Sequence, residues 1–429
     1  MIRVAFYTLG CKVNQYETEA LSAELRSRGH AVVSGGEFAD VYIINTCTVT
    51  GLADRKSRQY IRRAKKANPD GIVVVTGCYA EVSPDDVAGI DGVDIVFRND
   101  KKMDLPDYLE KFLDSGGVKP ESVCAAYTKT RALIKIQDGC DRFCSYCIVP
   151  YARGALRSRP LADIVREAEN LLENGFKEIV LTGINTALYG AECGDGGIED
   201  VISALDGIGG DFRIRLSSLE PTVINADYVR KLFRFEKLCH HMHLSLQSGS
   251  NRILNLMNRK YSISDYMEIV RILKEFDSHY GISTDIIAGF PGETPDDFGG
   301  SVEALRNVNF CRTHVFKYSE RKGTVAAKMG GQIGAGEKDK RSGILIREGK
   351  LSAQRFFNSN IDGEKRVLLE EYDENAGIYS GYSENYIRVY INKNYVNNIN
   401  ARCVINELVD VRLTGIYEDG MLGEIRRDV

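Results

Sequence analysis

Short apolar runs alternate with longer polar or amphipathic stretches along most of this chain. In the first 115 residues, Ile2–Leu9, Asp40–Thr46 and Gly71–Thr76 read as buried parallel strands, with helices at Gln15–Arg28 and Ala53–Ala67 between them. That alternation predicts an α/β fold with a doubly wound parallel sheet. From about 125 to 357 the rhythm repeats six times. Strands are expected at Ala132–Gln137, Glu178–Thr182, Phe212–Ser217, His241–Gln247, Ile282–Ala288 and Thr313–Tyr318. Helices at Leu161–Asn174, Asn225–Phe233, Ile263–Phe276 and Pro295–Asn307 separate them. Six such units predict a partial (β/α)6 barrel, open on one side. Beyond 358 the helical period disappears. Arg366–Glu370, Ile378–Tyr382, Tyr386–Tyr390, Ala401–Glu407 and Asp410–Tyr417 alternate with turns, the pattern of a small β-barrel. The expected domains are 1–115, 125–357 and 358–429.

Composition narrows the class. The 429 residues are 43% apolar with a net charge of −4, so gross charge announces no nucleic-acid partner. No apolar run approaches the roughly 20 residues of a membrane span. The start, Met1–Tyr7, reads as a strand and not as a signal peptide. A cytoplasmic protein with reduced thiols is expected. Its eleven cysteines then suggest metal before disulfide.

Two cysteine sets carry the chemistry. Cys140, Cys144 and Cys147 have C-x3-C-x2-C spacing, enough for three corners of a cubane iron–sulfur cluster. The fourth iron is left open for a substrate. Zinc wants four protein ligands, and the next histidine is His240. The second set is dispersed. Cys11, Cys47 and Cys78 each follow one of the three predicted N-terminal strands. Ligands gather at the carboxyl ends of parallel strands, so these cysteines should meet at one sheet edge and hold a second cluster. The loops Gly183–Asn185, Ser218–Glu220, Gln247–Gly249 and Gly289–Glu293 follow barrel strands and belong to the same reasoning.

Charge distribution says more than its sum. Residues 358–429 hold eight Lys+Arg against thirteen Asp+Glu, which weakens a simple phosphate-binding role there. Tyr379, Tyr382, Tyr386 and Tyr390 in that region are either base-stacking aromatics or, individually favoured, cross-strand core pairs. Seven of the twelve residues Arg55–Lys66 are basic and none is acidic. Arg58, Arg62 and Lys66 share a helix face at i, i+4 spacing, which favours phosphate contact over a merely solvated face. Arg153, Arg157 and Arg159 follow the cysteine loop and extend the basic character.

With those residues in view, the chain resembles the radical S-adenosylmethionine methylthiotransferases over nearly its whole length. The resemblance implies an N-terminal methylthiotransferase domain, a radical-SAM core and a C-terminal TRAM domain. The segments Leu9–Glu19 and Asn45–Thr50 resemble the branch acting on N6-threonylcarbamoyladenosine. The implied reaction is methylthiolation of C2 of that base at position 37 of tRNA, in the anticodon loop. Two [4Fe–4S] clusters and S-adenosyl-L-methionine would serve as cofactors, through a 5′-deoxyadenosyl radical. Tyr146, Gly183, Glu220, Gln247 and Arg259 are the expected contacts to S-adenosylmethionine, by their position at barrel strand ends or just after them. Arg153 or Arg157 is expected to pair with the carboxylate of the modified base. A flavodoxin- or ferredoxin-type electron donor and a monomeric state are expected. Alternatives are the same chemistry on N6-isopentenyladenosine or on a ribosomal protein. A non-catalytic iron–sulfur redox sensor that binds RNA is a further alternative.

Overall fold

The computed structural model describes residues 1–114, 130–194, 196–222, 224–393 and 405–425. They form two compact units, grouped by packing and not by sequence order. The first contains Met1–Thr128, Asp138–Leu156 and Ser319–Lys328; the second contains Lys129–Gln137, Arg157–Tyr318 and Met329–Val429.

The first unit is built on a parallel sheet. Its strands are β1 (Arg3–Thr8), β2 (Ala31–Ser34), β3 (Val41–Thr46), β4 (Ile72–Gly77) and β5 (Ile95–Val96), in the order β2-β1-β3-β4-β5. Helix α1 (Lys12–Ser27) buries Leu21 and Leu25 against Val4, Ile43 and Val74 on one face. On the other face, Ile61 and Ala64 of α2 (Gly51–Ala67) pack on Tyr42, Ile44, Val73 and Val75. Both faces are therefore covered, as the continuous apolar runs require. The Thr50 side chain caps α2 by accepting from the Ala53 amide. Sequence reasoning missed β2 and β5. Both are short edge strands, only partly buried, and neither carries the unbroken apolar run of an inner strand.

In the second unit six parallel strands form the open barrel: β6 (Arg131–Lys135), β7 (Glu178–Thr182), β8 (Arg213–Leu216), β9 (His241–Leu244), β10 (Gly281–Ala288) and β11 (Arg312–Lys317). Continuous ladders join β6–β7–β8 and β9–β10–β11. Between them, the Ile214 amide donates to Lys237 O (2.7 Å) and the Cys239 amide to Ile214 O (2.8 Å). The expected strand to Gln247 stops at Leu244, and Gln247 itself sits at φ 65°, which no strand tolerates. A 25-residue helix, α3 (Ala335–Ser359), packs along β11 and was not foreseen. Its buried positions include Arg341, Ser342, Glu348 and Ser352, so the apolar stripe that marks a helix in sequence is interrupted.

The same unit ends in a closed barrel of β12 (Glu364–Asp373), β13 (Ile378–Ser383), β14 (Arg388–Asn392), β15 (Leu408–Tyr417) and β16 (Gly420–Ile425). Strand β16 was missed. Of the expected strand Ala401–Glu407, residues 401–404 lie outside the described set, and Ile405 and Asn406 form a turn. Tyr386, at φ 68°, precedes β14 and is not part of it. This small barrel docks at the amino ends of the large barrel's strands. Buried Arg213 and Arg215 both grip Glu178, at 2.6 and 2.8 Å. They also donate to the carbonyls of Arg366, Tyr382, Ser383 and Glu384. The carboxyl ends of β6–β11, where a barrel carries its chemistry, lie at the opposite end of these strands.

Candidate metal centre

The sheet order of the first unit reverses between β1 and β3, the crevice where open α/β sheets bind ligands. Cys11, Cys47 and Cys78 follow β1, β3 and β4 there. Two glycines permit the approach. Gly10 sits at φ 103°, and a Cβ on it would lie 2.8 Å from Cys47 Cβ and 3.0 Å from its Sγ. Gly77, at φ 94°, would put a Cβ 2.4 Å from Thr46 O. Side-chain hydrogen bonds then lace the strand ends. Asn14 Nδ2 donates to Leu9 O (2.7 Å) and Thr46 O (3.0 Å), and Asn45 Nδ2 to Asn14 O (3.0 Å). Thr46 Oγ1 donates to Thr76 O at 2.5 Å. Cys47 and Cys78 are buried and Cys11 is exposed. Burial pushes the Cys47 thiol up to about 12, and neighbouring Cys78 and Cys11 add to the rise. Burial likewise raises Cys78, opposed by the charges of Arg153 and Lys102.

The second triad lies in the same unit. Gly139, at φ 71°, would place a Cβ 1.9 Å from Ala155 O, so only glycine lets the loop pass. The Cys140 amide donates to Gly154 O (3.2 Å), the Cys147 amide to Cys144 O (2.9 Å), and the Ala326 amide to Ser145 O (2.7 Å). Tyr146 belongs to this loop. Cys140, Cys144 and Cys147 are partly exposed. Among the described residues, neither triad gathers three ligand atoms within 4.8 Å of one another, the grouping found only at His243, Asp285 and His314. Each set offers three thiols, one short of the four protein ligands zinc wants and the number that a cubane cluster with one open iron takes.

A buried charge network joins the two triads' supports and corrects one expectation. Arg153, read from sequence as an RNA-facing residue, has a side chain only 1% exposed. It ends the helix Val149–Arg153 after the cysteine loop and donates to Glu17 Oε1 (3.0 Å), Asp138 Oδ1 (3.0 Å) and Asn14 Oδ1 (2.5 Å). Lys102 Nζ completes the network at 2.7 Å from Glu17 Oε2 and 3.0 Å from Asn45 Oδ1. The Arg153 guanidinium is thus occupied by protein carboxylates. Arg159 is similarly engaged, with Glu167 (2.6 Å) and Lys135 O (2.9 Å). Arg157 is exposed. On α2, Arg62 and Lys66 are exposed beside Arg55, Lys56 and Arg63, while half-buried Arg58 donates to Tyr79 Oη at 3.1 Å.

In the second unit, Gly183, Glu220, Gln247 and Arg259 collect at or beyond the carboxyl ends of the barrel strands. Buried Glu220 accepts from Arg259 (2.9 Å) and from Asn185 Nδ2 (2.7 Å). A Cβ on Gly183 would meet Gln137 Oε1 at 2.9 Å, and that oxygen also accepts from the Asn185 amide. Gln247 bridges to β10, donating to Asp285 O (2.8 Å) and accepting from the Ile287 amide (2.9 Å). Among the tyrosines of the small barrel, Tyr379 takes the cross-strand core role and Tyr390 is buried, while Tyr382 and Tyr386 are half-buried. Tyr379 is buried and stacks on Tyr372, Tyr390 donates to Asp419, and Tyr382 and Tyr386 stack on each other at 5.0 Å. Glu17, Lys102 and Asp138, together with His243, Asp285 and His314, were not identified from sequence. Their partners lie on distant segments, and only the fold brings them together.

Residues 134–305 match the Radical SAM superfamily and residues 3–98 an uncharacterized protein family, UPF0004. The chain is 39% identical over 406 residues to threonylcarbamoyladenosine tRNA methylthiotransferase MtaB of Bacillus subtilis, covering 91% of this chain and 90% of that one. It is 33% identical to a tRNA-2-methylthio-N(6)-dimethylallyladenosine synthase of Acetivibrio thermocellus, over 98% and 90% of the two chains. Among solved structures it resembles the radical S-adenosylmethionine methyltransferase TsrM of Kitasatospora setae, with TM-score 0.56, 14% identity and 76% of each chain covered. That likeness is one of fold. Among the described residues, no helix is long and apolar enough to cross a membrane.

Proposed function

Because the chain belongs to the radical S-adenosylmethionine methylthiotransferase family, we propose that it methylthiolates C2 of N6-threonylcarbamoyladenosine in a tRNA anticodon loop. The observation that carries the reaction is the pair of cysteine triads held in one compact unit. A radical enzyme that only abstracts hydrogen needs one such triad, and sulfur insertion gives the second a purpose. The substrate follows the relative of highest identity given above, which acts on threonylcarbamoyladenosine by its name.

When bound, two [4Fe–4S] clusters and S-adenosylmethionine supply the electron, the 5′-deoxyadenosyl radical and the methylated sulfur, chemistry no side chain provides. The chain's own residues bind and orient. Cys140, Cys144 and Cys147 hold one cluster, and Cys11, Cys47 and Cys78 the other. Glu220, fixed by Arg259 and Asn185, is a rigid acceptor for cofactor hydroxyls or ammonium, with Gly183 and Gln247 as further contacts in the same unit; Tyr146 is offered separately, by its place in the cysteine loop. Arg62 and Lys66 meet RNA phosphates, helped by Arg157, while Arg58 is tethered to Tyr79. Arg153 is withdrawn from the RNA set because its charge is spent internally. We assign 1–115 to the methylthiotransferase domain, 125–357 to the radical-SAM core and 358–429 to the TRAM domain. A monomer in the cytoplasm, reduced by a flavodoxin- or ferredoxin-type donor, completes the reading. Nucleoside mass spectrometry of tRNA from cells with and without the gene tests it. Loss of the 2-methylthio derivative of threonylcarbamoyladenosine is expected, and its persistence overturns the proposal.

A further inference from the structure

Residues of a strand alternate between its two faces. In the open barrel, Met242 and Leu244 of β9 and Ile282, Ile286 and Ala288 of β10 face the helices and join the main core. On β11, Val315 packs on that core and Thr313 meets Gly349 of α3. His241 and His243, Ser283 and Asp285, and Arg312 and His314 therefore face the inner surface. Contacts agree: Ser283 Oγ lies 2.9 Å from His241 Nε2 and 3.0 Å from His243 Nδ1. The register sets His243 beside Ser283 and Asp285 beside His314. One nitrogen of each histidine and a carboxylate oxygen of Asp285 lie within 4.8 Å of one another.

This group is not closed on itself. His243 Nε2 is buried and lies 3.2 Å from Asp285 Oδ2, an ion-pair contact with no well-formed hydrogen bond. A buried ring nitrogen left so is costly unless something completes it. The side chains of His243 and Asp285 are 13% and 25% exposed, and His314 is exposed, so the group opens to solvent on one side. Its floor is closed where Tyr386 stacks on His241 at 4.3 Å. Burial opposes ionisation of Asp285, but His243, His314 and Arg259 outweigh it and hold the carboxyl below its ordinary range. The wall thus presents a fixed acceptor, held by His243, beside the exposed imidazole of His314.

We propose that His243, Asp285 and His314 read the N6 substituent of the target adenosine, selecting a urea that bears a hydroxyl and a carboxylate over an apolar alkenyl group. The site rests on the substrate class proposed above. Asp285 accepts from the urea N–H or the hydroxyl, the exposed His314 imidazole donates to the carboxylate, and His243 holds Asp285 in place. An alkenyl group would leave these polar atoms desolvated and unpaired, the arrangement that gives large discrimination.

The test uses holoenzyme and three anticodon stem-loop RNAs that differ only in carrying unmodified, isopentenylated or threonylcarbamoylated adenosine. Wild type is compared with His314→Ala, His243→Gln and Asp285→Asn. The readout is the ratio of Kd for unmodified to Kd for threonylcarbamoylated RNA, with KM and kcat measured alongside. A ratio within one preparation cancels any loss of folded protein. Wild type should favour the threonylcarbamoylated RNA, and each variant should lower the ratio about 10- to 100-fold, the worth of a charge-assisted hydrogen bond. Variants that keep the wild-type ratio overturn the site while the substrate reading stands. A wild type that prefers isopentenylated RNA overturns the substrate reading and this site with it. A saturable visible absorption on adding Co2+ to wild type, absent from His314→Ala, assigns the triad to a metal ion and also overturns the proposal.

Discussion

Replacing Arg153 with Met removes one positive charge from a buried set that is otherwise balanced: Arg153 and Lys102 against Glu17 and Asp138. Lys102 keeps Glu17 at 2.7 Å, while Asp138 loses its 3.0 Å contact with Arg153. Burial opposes the charge on Arg153, yet Cys78, Glu17 and Asp138 more than offset it and hold the group firmly ionised. Breaking a buried pair by removing one partner costs about 3–5 kcal/mol. Restoring neutrality with Arg153→Met plus Asp138→Asn should recover about 1–3 kcal/mol, since contacting groups couple by that order. The amide oxygen that Asp138→Asn introduces can still accept from the Gly139 amide, as the Asp138 carboxylate does at 2.8 Å. The assay is thiol labelling of metal-free protein across a denaturant series, with sites identified by mass spectrometry. Cys47 and Cys78 are buried in the first unit, and Cys239 and Cys311 are buried in the second. In the Arg153→Met protein the opening free energy at Cys47 and Cys78 should fall by about 3–5 kcal/mol, with Cys239 and Cys311 as unmoved internal controls. A fall below about 1 kcal/mol, or an equal fall at Cys239, would refute the reasoning.

Three further outcomes are expected. Reconstituted protein should hold about eight irons per chain, and replacing either cysteine triad with Ala should leave about half; elemental analysis with electron paramagnetic resonance decides, and full retention of iron sinks the triad concerned. Arg62→Glu with Lys66→Glu should weaken tRNA binding and flatten its logarithmic salt slope by about 1.5–2, as losing two phosphate contacts does; an unchanged slope returns that helix face to solvent. Asp277, hydrogen-bonded to His240 at 2.8 Å, has its carboxyl lowered from 3.8 to about 2, chiefly by that bond. Its stabilisation, about 2 kcal/mol, is complete above pH 3.8 and disappears as pH falls through about 2. The stability difference between wild type and Asp277→Asn should be flat above about pH 4 and close over that window, whereas a difference independent of pH removes Asp277 as its source.

The inner strands were legible because a strand covered on both faces has only one way to be written, as an apolar run such as Ile72–Val75. The edge strand Ala31–Ser34 lacks that signature, and α3 conceals its period by burying Arg341 and Glu348, whose partners Glu293 and Arg306 lie on distant segments. The dispersed cysteines were legible for a different reason. Spacing carries no signal at 36 and 31 residues apart, but strand ends in a parallel sheet share one edge, so predicting the strands predicts the meeting of Cys11, Cys47 and Cys78.

The arginines show where such reasoning fails and what would repair it. A basic residue beside a metal loop reads the same whether it faces a phosphate or a buried carboxylate, because its partner is chosen by the fold. Arg153 finds Glu17, 136 positions earlier in the chain. Yet its neighbourhood held a hint: the cysteine loop that leads to it also carries Asp138 and Asp141, so a local countercharge was at hand. The Arg55–Lys66 run contains no acidic residue, and there Arg62 and Lys66 do stand exposed. The relevant variable is not how many cations a segment holds but whether anions travel with them. A segment that brings its own countercharge can bury its arginines, and one that brings none leaves for water or a polyanion those cations that no distant carboxylate reaches, as Asp94 reaches Lys65.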